Sequence, residues 1–197
     1  MASGSDKQSS AYSLNNLSHY NKRINISPPI SVAERTSVAE KLHLNKNRET
    51  IMASKIILVI HGPSLNMLGK REPGIYGTTS LNDINKDLLK LGKKLGLRVD
   101  TFQSNHEGAV IDKIHEAFQK HDGLIINPGA YTHTSIAIRD ALTMIKAPVI
   151  EVHLSNIYKR EPFRHKSFVA EVATASMCGF GHYGYYMALE AIARMLK

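Results

Sequence analysis

Five consecutive aliphatic residues, Ile56–Ile60 (IILVI), constrain this chain more than any other stretch. A run without polar alternation cannot leave one sheet face in water; it suits a strand covered on both sides, as in a parallel sheet. The period then changes. Leu81, Ile84, Leu88, Leu91 and Leu95 recur at helical spacing, Ser80 and Asp83 stand where a capping box would, and Gly96 offers a stop. The two periods keep alternating. Strands are expected at 97–102, 124–126, 149–154 and 172–176, and helices at 107–120 (with Gly123 as the stop), 135–145 and 182–196.

Five β-α units in succession imply an α/β domain with a parallel sheet, right-handed crossovers and helices on both faces. For five strands the flavodoxin-like order 2-1-3-4-5 is expected. Residues 1–51 read differently. Up to Pro29 they are rich in Ser and Asn and poor in large apolar residues, so they bury too little surface to offset their ordering entropy. A short amphipathic helix is possible over 31–44. The expected organisation is an N-terminal extension, disordered or a transit peptide, before a catalytic domain at 52–197.

Composition narrows the function classes. A single cysteine, Cys178, excludes an internal disulfide and fits a reducing, cytoplasmic setting. No apolar run approaches the roughly 20 residues of a membrane helix. Of the net charge of +8, residues 1–51 hold +3 and the remainder +5. No segment has the dense Lys/Arg block or interleaved aromatics of a nucleic-acid footprint, so the reading is a solvated basic surface without nucleic acid or membrane.

In open α/β sheets, ligands bind beyond the carboxyl ends of the strands. His, Arg, Asn and Tyr concentrate in the loops at that edge: 61–79 after the first strand, 127–135 after the third and 153–167 after the fourth. The loops at the other edge are ordinary turns. No phosphate loop, dinucleotide fingerprint, paired metal-ligand spacing or nucleophile elbow occurs. That leaves acid–base and electrostatic catalysis with no cofactor, or a noncatalytic pocket for a small anion. On the residues alone, Tyr76 reads as a ring packed on the domain and Arg71 as a surface cation.

The segments HGPSLNMLGKREPGIYG, INPGAYTHTSIAIRDAL and PVIEVHLSNIYKREPFRHKS resemble type II 3-dehydroquinate dehydratase, in the right order and the right loops, over residues 54–197. The resemblance implies loss of water from 3-dehydroquinate to give 3-dehydroshikimate, in aromatic biosynthesis (the shikimate pathway) or quinate breakdown, through an enolate and without a metal. It implies that Tyr76, as tyrosinate, removes the proton alpha to the ketone with Arg71 nearby, and that His153 protonates the departing hydroxyl. Asn127, His133 and Arg164 would hold the substrate, with the backbone of Leu154 and Ser155 cradling its carboxylate. Asp140 would reach a neighbouring subunit's site in a homododecamer of trimers.

Physical chemistry accommodates these roles. Holding a phenol ionised near pH 7 requires roughly 4 kcal/mol, and a cation about 4 Å away at an effective dielectric near 20 supplies about that. Arginine never gives up its proton, and Gly69, Gly74 and Gly77 would let the loop close over the substrate. Glu151 and His153, two apart on a strand, share a face, so Glu151 is expected to orient the imidazole. Ser155 and Asn156 are expected to cap a short helix. Two positions depart from the family's Asn-Gly-Pro-Asn-Leu-Asn. His61 replaces the first asparagine, a change expected to be harmless. Ser64 replaces the second, an amide expected to position a water against the enolate oxygen.

Overall fold

β1 (Ile56–His61) has no exposure from Ile57 to His61. The computed structural model describes residues 54–70 and 79–197. Around β1 the chain builds α1 (Leu81–Leu95), β2 (Arg98–Gln103), α2 (Glu107–Ala117), β3 (Gly123–Asn127), α3 (Ile136–Thr143), β4 (Val149–His153), β5 (Ala175–Cys178) and α4 (Tyr183–Met195). All five strands are parallel, in the expected order β2-β1-β3-β4-β5.

The two-residue period of the strands divides the interior into two cores. Ile57, Val59, Ile125, Ile150 and Val152 face α1 and α4, meeting Ile84, Leu88, Tyr185, Leu189 and Ile192. Leu58, Ile60, Leu124, Ile126 and Val149 face α2 and α3, meeting Val110, Ile114, Ile138 and Leu142. Each such fully buried side chain contributes about 1.5–3 kcal/mol over exposure. That double covering is what the unbroken IILVI run requires.

The helix ends follow local chemistry. Ser80 caps α1 by accepting from Asp83 N (3.2 Å), and Asp83 accepts in return from Ser80 N (3.3 Å), the reciprocal box expected. Gly96 closes that helix in the left-handed region, at φ 73°. Other boundaries move. α2 stops at Ala117, with Gln119 left-handed at φ 61°, so Gly123 is not its stop but the first residue of β3. β5 begins at Ala175 rather than Val172. Residues 172–174 lie in a turn, where Val172 and Ala173 pack against the α2–α3 core. The possible helix at 31–44 lies outside the described residues.

The strand order reverses between β1 and β3, and there the two outgoing loops touch. Gly62 N donates to Asn127 O (2.7 Å). A Cβ on Gly62 would sit 2.6 Å from both the carbonyl carbon and oxygen of Pro128 and 2.9 Å from Asn127 O, all backbone atoms that cannot rotate away. Gly62→Ala is therefore expected to lower stability by about 1–3 kcal/mol, read as a shifted denaturant midpoint, and to push the two loops apart. A wild-type midpoint would show that the contact is slack.

Candidate active site

Beyond the carboxyl ends of β1, β3 and β4 lies a cleft of about 310 Å³. Its walls bring together seven of the expected residues: Ser64 from the β1 loop, Asn127 and His133 from the β3 loop, and His153, Leu154, Ser155 and Arg164 from the β4 loop. Arg160 lines it as well. Glu151 lies behind His153, and Asp140 is not part of the wall. Asp140 sits on α3 with its side chain 63% exposed, ion-paired to Arg139 at 2.9 Å. Arg71 and Tyr76 lie outside the described residues.

His153 ends β4, and its Nε2 donates to Oε1 of Glu151 at 2.8 Å. Glu151 has no exposure. An ion so deeply buried needs every lone pair engaged. Thr132 Oγ1 donates to Oε1, Ser176 Oγ donates to Oε2 (2.9 Å), and Ser167 Oγ lies within reach of both oxygens (2.8 and 3.1 Å). Burial by itself would push the Glu151 carboxyl up. The hydrogen bond and charge of His153, followed by the Thr132 and Ser167 hydroxyls, outweigh it and hold the group below the usual carboxylate range. With Nε2 committed to Glu151, Nδ1 is the imidazole's remaining nitrogen for exchange with a ligand.

His133 stacks on His153, rings 6.3 Å apart and 15° from parallel. Its Nδ1 faces the carbonyl of Lys166 at 2.7 Å, so Nδ1 carries the proton and Nε2 is the acceptor of the neutral ring. The ion pair of Arg164 with Glu161 uses Nε (2.9 Å). Asn127 is buried, and its Oδ1 accepts from Gly129 N (3.1 Å). Asn156, without Ser155, caps a three-residue 3-10 turn, Ile157–Lys159, by accepting from Tyr158 N. Ser64 is left-handed, at φ 65°, a conformation that asparagine adopts more readily than serine. Among the described residues no group of three or more His, Cys, Asp or Glu side chains is arranged to hold a metal ion, and no helix is long and apolar enough to cross a membrane.

Sequence reasoning did not single out Thr132, Ser167 or Ser176. Ser176 comes beside Glu151 through the register of β5 on β4, which the sequence does not state. Thr132 and Ser167 converge only through loop folding.

The Glu151 network has a pH signature. A folded-state pKa below the unfolded one contributes stability above the unfolded value, about 4.3, and loses it as pH falls through the folded value. Melting temperature is therefore expected to drop on acidification below about pH 4.3, with a shallower drop in Glu151→Gln. Parallel acid limbs would show that the folded-state pKa of Glu151 does not lie below its unfolded one.

Residues 55–193 match the family model described as Dehydroquinase class II. The chain is 58% identical over 139 residues to 3-dehydroquinate dehydratase 1 of Agrobacterium fabrum (strain C58), covering 71% of this chain and 96% of that one. It is 55% identical over 141 residues to 3-dehydroquinate dehydratase of Halothermothrix orenii (strain H 168), covering 72% and 95%. The crystal structure of type II dehydroquinase from Propionibacterium acnes superposes with a TM-score of 0.70 at 46% identity, covering 72% of this chain and 97% of that chain. On fold, motifs and relatives together, the chain belongs to the class II dehydroquinase family.

Proposed function

We propose that this chain is a type II 3-dehydroquinate dehydratase, a hydro-lyase that converts 3-dehydroquinate to 3-dehydroshikimate through an enolate. The observation that carries the reading is His153, backed by Glu151 and set in one cleft with Asn127, His133 and Arg164. Tyr76, held as tyrosinate by Arg71, takes the proton alpha to the ketone and leaves the enolate. His153 passes a proton to the departing hydroxyl, which leaves as water. The proton gained by the phenol and lost by the imidazole then exchange through solvent, restoring both groups. Ionised Glu151 accepts from His153 Nε2 and so orients the imidazole for that second step.

The remaining roles follow the same reading. Arg164 and the backbone of Leu154 and Ser155 take the substrate carboxylate, while His133 and Asn127 hold its hydroxyls. Asp140, outside its own cleft, acts at a neighbouring subunit's site in a dodecamer. The dehydratase unit is 52–197, working in the cytoplasm, and residues 1–51 take no part in the chemistry.

Conjugated enone absorbance should appear from 3-dehydroquinate at equal rates with and without chelator, and in a chain lacking residues 1–51. Tyr76→Phe should abolish turnover while preserving ligand affinity; a variant that still turns over removes the tyrosinate. Ser64→Asn should raise kcat, by up to about 10²–10³-fold where no water already serves the enolate oxygen, and should relieve the left-handed serine. An unchanged kcat would mean that the amide is not needed.

A further inference from the structure

His61, one of the two departures from the family pattern, is fully buried and has both ring nitrogens bonded. Nδ1 lies 2.8 Å from the hydroxyl of Tyr185, itself fully buried on α4, and Nε2 lies 2.9 Å from Asn85 Oδ1 on α1. Neither His61 nor Tyr185 lines the cleft. β1 and β3 pair in register at His61 and Asn127, so both side chains point to the sheet face that Tyr185 packs against. The Asn127 amide lies beside the hydroxyl of that same tyrosine.

Donor chemistry gives this chain of bonds one direction. Asn85 Oδ1 only accepts, so His61 Nε2 carries the ring proton. Burial pulls the His61 pKa down to about 4, against the Asn85 bond, so the ring is neutral at pH 7 and Nδ1 only accepts. Tyr185 must then donate to Nδ1, and its oxygen is left to accept from the Asn127 amide. Asn127 Oδ1 meanwhile accepts from Gly129 N. With Oδ1 taken by Gly129 N, the amide NH2 is the end left for Tyr185 and for the cleft that Asn127 lines.

We propose that His61 and Tyr185 are positioning residues that fix the carboxamide of Asn127 so that it presents an N–H donor to an oxygen of the bound substrate. This rests on the reading of Asn127 as a substrate-binding residue. It also gives a physical reason why histidine can stand at position 61 where the family pattern has asparagine. An asparagine Oδ1 falls near the place of the imidazole Nδ1, so the acceptor for Tyr185 is kept.

The test is a double-mutant cycle in the full chain, with KM and kcat measured on 3-dehydroquinate. Tyr185→Phe and His61→Leu should each raise KM about ten-fold, the loss expected for one hydrogen bond, with kcat little changed. His61→Asn should restore the wild-type KM. In an Asn127→Ala background, Tyr185→Phe should add nothing, because its effect passes through the missing amide. An additive effect there, or an unchanged KM in Tyr185→Phe, overturns the relay while leaving Asn127 as a binding residue. An unchanged KM in Asn127→Ala alone overturns the binding role, and the relay with it. Should Tyr185→Phe fail to fold, the His61→Leu and His61→Asn pair makes the same comparison, with His61→Leu also built on Asn127→Ala.

Discussion

An ionised carboxylate with no solvent exposure is the constraint around which this end of the molecule is organised. Removing Glu151 from water costs several kcal/mol unless donors surround it. The donors come from separate parts of the chain: Thr132 after β3, His153 on β4, Ser167 in the connection after β4 and Ser176 on β5. Satisfying one buried charge thus pins two loops and an edge strand. The histidine expected to move a proton is placed by the same interactions that stabilise the fold. A conformation lacking any of these donors would leave a buried anion underpaired, which selects against alternative loop arrangements.

The second organising constraint is topological. β1 lies between β2 and β3, which are reached in opposite directions along the sheet. The loops leaving β1 and β3 therefore diverge to opposite faces and open a crevice between them. Here they still touch at the crevice floor, through Gly62 and the Asn127–Pro128 carbonyls. Behind that floor, His61 and Tyr185 extend a polar seam into an otherwise aliphatic core. Charge and polarity thus enter the interior at both places, each behind a residue that lines the cleft, His153 or Asn127.

Much of this was legible beforehand because parallel α/β architecture writes itself in periods. IILVI and the heptad-like leucines of α1 announced their elements, and the capping box at Ser80 named a boundary. The weakest reading was β5. Its four residues, Ala175–Cys178, are largely half-buried on a sheet edge, so they carry little hydrophobic signal. The more apolar Val172 drew the expectation three residues upstream, although that residue packs from a turn. The loops of the cleft were legible because the strand order dictates which loops meet, and the resemblance picked out the residues within them; His61 was read as a harmless change because a polar residue ending a strand looks like any loop residue.

By itself the sequence determined the alternation of strand and helix, the edge at which chemistry would gather, and the motifs that name the family. These depend on residue spacing along the chain, which is one-dimensional information. Only the tertiary structure decided that Glu151 is fully buried among hydroxyls from three other segments, that His133 stacks on His153, and that Tyr185 from α4 meets His61 from β1, 124 residues apart in sequence. Such contacts depend on the register between strands and the packing of distant helices, and an unpaired buried charge or donor is costly enough to hold them in place.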